Sequence, residues 1–273
     1  MRTYMTKTGI QTQLEQLTDS FLQDFGVVET ILRTPQQFFA ELRDGIELPN
    51  KIIAMLVSSI TFFMVYGAIL GSTHSPLQAI SSAIKLPIVF LGASLICLPT
   101  LYVFSLLLGS NERLGQTISL ILMGVTVTGV LLLSFAPITF LFMLTTSGYA
   151  FFKLLNVAFM MIAAYIGMSF LRKGRRVLEA NNVEFEVDGE MLDEGAAGQV
   201  PTKASKHALF GQHLMFRGWL LLYFFVGTQL SWAMRPFVGH PAFPFRVFSD
   251  VGGNFYSDII RSLGEVFGFW MMP

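Results

Sequence analysis

Gly92-Ala93-Ser94 lies in an apolar stretch and has the Gly-x-Ser form of an intramembrane serine protease. A serine nucleophile needs a general base within hydrogen-bond reach. The histidines that could supply one, His74, His207, His213 and His240, all lie outside the apolar runs. No His-Glu-x-x-His pattern offers a zinc protease. His207 and His213 are six positions apart, which places them on different faces of a helix. The acidic group Glu184, Glu186, Asp188, Glu190, Asp193 and Glu194 lacks calcium-loop spacing and reads as a solvated linker. No glycine-rich phosphate loop is present. No catalytic residue, cofactor site or metal site is nominated, and the expectation is a protein that is not an enzyme.

Within the apolar runs the polar residues are few. The first four contain no Asp, Glu, His or Arg, and Lys153 sits near an end, where its ammonium can reach the interface. Ionisable groups in membrane helices mark proton or ion paths, so their scarcity argues against a coupled transporter. The hydroxyls of Ser58, Thr61, Thr126 and Thr128 remain as a possible lining for a passive pore. The competing reading is that they bond to backbone or to neighbouring helices. Pro99 and Pro137 interrupt two runs and are candidate helix kinks, each removing a donor and freeing a carbonyl one turn back. Gly124, Gly129 and Gly167 permit close helix approach. Gly67 and Gly71 form a Gly-x-x-x-Gly pair suited to packing within the bundle or to a dimer contact.

These residues are carried by a chain that is 53% hydrophobic and 13% charged, with mean hydropathy +0.58. Soluble domains carry about 25% charged residues. The zero net charge excludes a globally basic nucleic-acid binder. Cys97 is the sole cysteine, so no intrachain disulfide forms. The first twenty residues contain no apolar leader segment, and insertion is expected to begin with an internal span. Four runs are long enough to cross a bilayer, at 52–71, 86–109, 117–144 and 150–171. A shorter fifth, 218–234, contains Gln229; it is predicted to span, with an interfacial helix as the alternative.

Five lysines and arginines precede the first run and seven lie in 172–217, whereas the intervening loops supply only Lys85 and Arg113. The positive-inside rule puts both rich segments in the cytoplasm, with Lys51, Arg172, Lys173, Arg175 and Arg176 as topology anchors. The C-terminus then lies outside. The predicted architecture is all-α: a polytopic transmembrane bundle of five spans with amphipathic interfacial helices near both ends.

The flanks carry the remaining signals. Thr34 as N-cap and Pro35 start a helix bearing Phe38, Phe39, Leu42 and Ile46, which Leu48-Pro49-Asn50-Lys51 should stop. Its stripe is expected in the headgroup boundary, with Arg33 and Arg43 reaching anionic lipid. Residues 1–51 form the cytoplasmic N-terminal segment. An earlier helix in it spaces Leu14, Leu17, Phe21, Phe25 and Val28 on one face, with neutral and acidic residues elsewhere, as suits a protein partner. The loop 172–217 turns from basic to acidic, and Val-Glu-Phe-Glu-Val at 183–187 alternates like a short strand. The tail 235–273 is rich in aromatics and proline, with helical spacing from Phe255 to Trp270 suited to the outer interface.

Pro35-x-x-Phe38-Phe39 ahead of a first span ending in VYGAILGS, a second containing LPTLYVFSLLLGS and a third with SFAPITFLF together resemble the bacterial branch of the YIP1 family. The resemblance covers about residues 34–172. It implies a small five-span membrane protein with a cytoplasmic N-terminus, of a family whose eukaryotic branch works with small GTPases in vesicle traffic. The Asp-Leu-Tyr-Gly-Pro motif of that branch is missing, and the 46-residue loop and aromatic tail depart from the compact pattern. GTPase binding is therefore not implied. The expected function is a scaffold, anchor or subunit of a membrane complex in a bacterial inner membrane. Its expected partners are membrane lipid and a protein partner or second copy, and no nucleic acid. The alternative is an oligomeric channel or facilitator using the Pro-kinked second and third spans.

Overall fold

The computed structural model describes residues 26–72, 75–107, 113–146, 148–190, 203–237 and 253–268, with side chains at 107, 178–190 and 203–214 outside the description. All regular structure among them is helical. A helical segment at 26–33 leads into α1 (Pro35–Asp44), α2 (Leu48–Gly71), α3 (Pro76–Leu107), α4 (Leu114–Thr145), α5 (Tyr149–Glu190), α6 (Lys203–Ala233) and α7 (Phe255–Phe267). Four helical stretches, Leu48–Gly71, Pro76–Leu106, Leu114–Thr145 and Tyr149–Val177, are long and apolar enough to cross a membrane. Lipid offers backbone groups no partner, which is why such runs close every hydrogen bond along their own axis.

α4 is the central helix. From Thr117 to Gly129 nearly every residue is buried, with α2 on one side and α5 on the other. α3 packs along α2, and α6 along α3. Met55, Phe63, Tyr66, Leu86, Met123 and Leu132 form the core, and Phe63 stacks on Phe90 at 4.4 Å between ring centroids. The outward faces carry Ile53, Ile88, Leu95, Leu141 and Tyr165, exposed as lipid-facing residues are.

The glycine pair decides the α2–α3 seam. A Cβ on Gly67 would come within 2.5 Å of the Ser82 carbonyl oxygen, and one on Gly71 would overlap that of Gln78. Gly-x-x-x-Gly is thus used inside the bundle. Gly167 does the same between α5 and α4, against Thr128 and Gly124.

Several boundaries differ from the sequence expectation. The second apolar helix begins at Pro76 rather than 86, so Pro87 as well as Pro99 lies inside it, and Lys85 is a helix residue. Pro137 lies inside α4; both candidate kink prolines sit in uninterrupted helix. The fourth run extends to Glu190, and the helix holding the fifth run starts at Lys203. Much of 172–217 is therefore helix. The expected strand at 183–187 is helical too, because a lone strand has no partner for its backbone groups whereas a helix already under way satisfies them locally.

α1 ends at Gly45, not at Pro49. Gly45 takes the left-handed conformation (φ 73°), and its N–H and that of Ile46 bond back to Leu42 and Glu41. Pro49 opens the first turn of α2. Thr34 occupies the N-cap position, but its hydroxyl donates to the Thr30 carbonyl instead of capping.

Candidate functional site

Two ion pairs stand at opposite ends of the bundle, each joining a short helix to the first turn of a long one. At the basic end, where Lys51, Arg113 and Arg172 lie, Lys51 Nζ donates to Glu41 Oε2 at 2.6 Å. Both side chains are largely sheltered, and the ammonium also lies 5.8 Å from the Phe38 ring centroid. The lysine hydrogen bond, aided by one from Gln37, holds the Glu41 carboxyl below the usual carboxylate range. Gln116 at the start of α4 adds a bond from Nε2 to the Arg43 carbonyl at 2.9 Å. Phe38, Phe39 and Leu42 are buried, and Phe39 reaches Gly174 of α5. The α1 stripe thus packs on its own chain rather than in headgroups, with Ile46 left half exposed.

At the far end Lys153 Nζ donates to Asp258 Oδ2 at 2.9 Å, fastening α7 to α5. α7 starts with a reciprocal cap, in which Asn254 Oδ1 accepts from the Ser257 N–H at 2.8 Å and the Asn254 N–H donates to Ser257 Oγ at 3.1 Å. Thr228 and Tyr256 hydroxyls are 3.2 Å apart, tying α7 to α6. Tyr256, Ile260, Leu263 and Phe267, spaced four, three and four, form an apolar stripe turned away from the bundle.

The helix-buried polar residues serve packing. Tyr66 Oη donates to Asn156 Oδ1 at 2.9 Å, and Asn156 Nδ2 donates to the Phe152 carbonyl at 2.8 Å. Ser59 and Thr126 hydroxyls meet at 2.9 Å, with Thr126 also 2.8 Å from the Leu122 carbonyl. Thr61 and Thr128 bond back to Val57 and Gly124, and Ser58 is fully buried. The proposed pore hydroxyls thus lie within or between packed helices. Ser94 donates to the Phe90 carbonyl at 2.8 Å and meets Tyr223 Oη at 3.1 Å, which leaves it in helix packing as well.

One stripe was not foreseen. Gln78, Ser82 and Lys85, spaced four and three along α3, are all buried and face inward. Gln78 Nε2 donates to the Pro236 carbonyl at 2.8 Å and Ser82 Oγ to that of Phe237 at 2.6 Å, with Lys85 Nζ 3.5 Å from Pro236. They clasp the segment that follows α6. The expectation of a core without titratable groups is corrected: Lys85 is 4% exposed inside an apolar helix. The signal was present as spacing, since Leu77, Ile80, Ile84 and Ile88 take the lipid side of the same turns.

A cleft opens between α5 and α6. Its α5 wall is Ala164, Met168 and Leu171, its α6 wall Trp219 and Tyr223, and Thr128 lies on its α4 floor. Its void is ≈ 30 Å³, room for a water or two but far below the several hundred Å³ of a small-molecule site. Arg175 is buried outside the cleft lining, its guanidinium 4.8 Å over the Phe216 ring.

The remaining anchors are peripheral: Arg172 donates to Ser169 Oγ at 3.1 Å, Lys173 lies over Phe170, and Arg176 is exposed. Of the nominated partner face, Val28 is buried, while Leu14, Leu17, Phe21 and Phe25 lie outside the described residues. His74 and His240 lie outside them too, as do the side chains of His207, His213 and the acidic cluster. No family model, curated protein or solved structure matches the chain. The resemblance to YIP1 proteins rests on the quoted motifs alone.

Proposed function

We propose that this chain is a membrane-embedded scaffold or anchor that fixes one short helix at each face of the bilayer for use by partner proteins. The observation that carries this reading is the pair of matched ionic fastenings, Glu41–Lys51 and Asp258–Lys153. Each places an acid of a peripheral helix on a lysine in the opening turn of a spanning helix. Interior polar groups hold helices together, while α7 presents a continuous apolar stripe outward.

The reading includes a fifth span. α6 runs antiparallel to α3, from Trp219 Nε1 bonded to the Cys97 carbonyl at 2.9 Å to Pro236 beside Gln78. The nineteen steps along α3 from Gln78 to Cys97 cover roughly 28 Å at 1.5 Å per residue, close to the ~30 Å hydrocarbon thickness of a bilayer. With the basic end cytoplasmic, the C-terminus lies outside a bacterial inner membrane and α7 in its outer interface. A thiol probe tests this directly. Arg261→Cys is preferable to a change at Ser257, which caps α7. In a Cys97→Ala background it should react with an impermeant maleimide in intact cells, and labelling only after permeabilisation refutes the fifth span.

The scaffold reading is tested by purification in mild detergent after crosslinking in cells. A defined partner should be retained by the full chain and lost on deleting residues 1–25. That deletion spares Val28 and Ile31, which are buried. A chain that runs alone, with no association altered by the deletion, refutes it.

A further inference from the structure

The outward side of α6 carries one residue that lipid does not satisfy. Trp219, Tyr223 and Leu230 of α6 meet Cys97, Ser94 and Gly92 of α3, which fixes the inward face. On the opposite face Gly218, Leu222, Phe225 and Gln229 follow at spacings of four, three and four. Leu222 and Phe225 are exposed, and no atom lies within 4 Å of a Cβ built on Gly218. Gln229 is partly exposed, and among the described residues its amide has no hydrogen-bond partner. It stands ten residues beyond Trp219 and seven before Pro236, roughly 15 and 10 Å from the two ends of the fifth span. Its side chain is too short to reach the headgroups from there, and hydrocarbon offers an amide no partner.

The spacing and the chemistry select the occupant. Four-three-four is the a/d repeat of a helix seam, with Leu222 and Gln229 at one kind of position and Gly218 and Phe225 at the other. An amide is donor and acceptor at once, so its positive N–H end and negative carbonyl end are matched by a second amide at the same depth. Two copies of this chain insert in the same orientation, and a twofold axis along the membrane normal sets their α6 helices parallel. In a parallel seam each a residue faces its own counterpart, which brings the two Gln229 amides together. Lipid covers Leu222 and Phe225 as well as a second copy does, but only the copy supplies the amide.

We infer that this chain forms a symmetric dimer through the outward face of α6, joined near mid-membrane by hydrogen bonds between the two Gln229 side chains. The inference rests on the fifth span of the reading above and not on any partner of α1 or α7.

The test measures energy transfer between donor- and acceptor-labelled full chains, labelled at Arg261→Cys in the Cys97→Ala background, in phosphatidylcholine–phosphatidylglycerol liposomes over a series of protein-to-lipid ratios. Chains with Gln229 should dimerise. Gln229→Leu should weaken dimerisation roughly tenfold, the usual strength of an interhelical polar contact in a membrane, while Gln229→Asn, which keeps an amide, should retain most of it. In the same background but with Arg261 intact, Phe225→Cys should crosslink on oxidation, whereas Ile138→Cys, on the lipid-facing side of α4, should not. Dimers of unchanged strength in Gln229→Leu, or crosslinks at Ile138→Cys in place of Phe225→Cys, overturn the inference in favour of another face. Chains that stay monomeric at every ratio overturn it outright. Maleimide labelling of Arg261→Cys in intact cells separates the two readings: monomers with a reactive thiol refute the dimer alone, whereas an unreactive thiol removes the fifth span and the dimer with it.

Discussion

Gly67→Ala should loosen the bundle at the close α2–α3 seam. The added methyl would stand 2.5 Å from the Ser82 carbonyl oxygen and 3.0 Å from the Ala83 Cα, whereas ordinary contact begins near 3.4 Å. All the obstructing atoms are backbone, so no side chain can rotate away, and α2 and α3 must separate by nearly 1 Å. That movement also draws Phe63 off Phe90. Overpacking of this kind costs about 1–3 kcal/mol. Gly227→Ala is the control: nothing lies within 4 Å of the position, so alanine's helix preference should stabilise the chain by up to about 1 kcal/mol. Reversible unfolding in mixed micelles of mild detergent and dodecyl sulfate, followed by circular dichroism, compares the two. The midpoint should fall for Gly67→Ala and hold or rise for Gly227→Ala. If Gly67→Ala unfolds with or after the wild type, the α2–α3 seam is not packed as described.

Tyr66→Phe removes the donor to Asn156 and should lower stability in the same assay by about 0.5–1 kcal/mol. Thr139 Oγ1 lies 3.4 Å from both Tyr66 Oη and Asn156 Oδ1, so a cycle with Thr139→Val would show coupling, and additive effects would refute a shared network. Asp258→Asn should release α7, read as faster hydrogen exchange over 255–267, with the swap Lys153→Asp plus Asp258→Lys restoring protection. Exchange unaltered by Asp258→Asn would show that packing alone holds α7. The Glu41–Lys51 pair gives a pH dependence of defined sign. The Glu41 carboxyl is held below its ordinary value of 4.5 in the folded chain, so its stabilisation is complete above that pH and is lost as pH falls through the lowered native value. Protection of α1 should decline only in that acidic window, by about 0.5–1 kcal/mol for a partly sheltered pair, and Glu41→Gln should abolish the change.

The spanning helices were legible because twenty apolar residues in succession admit few other structures, and the Gly67–Gly71 spacing already suggested an intimate contact. The start of α3 was not. PLQAISSAIK looks like a polar loop when averaged, since its polarity faces inward and its aliphatic residues face lipid, the reverse of a soluble helix. Lys85, at the end of this stretch, reads as a loop residue for the same reason. Pairings such as Tyr66 with Asn156 or Lys153 with Asp258 bridge 90 and 105 positions. Local spacing carries no trace of them; only the assembled bundle brings such partners together. The α1 stripe was visible, but whether it met lipid or protein depended on Gly174, which gives Phe39 a place to rest.

The 42 residues of α5 make a rod of roughly 63 Å, about twice the depth of the bilayer's oily layer. Near its middle the rod bears Phe39 of α1 on Gly174, and close to its start it grips α7 through Lys153. One helix thus carries the footholds of both short helices, so a substitution that shifts α5 along its axis is expected to disturb α1 and α7 together.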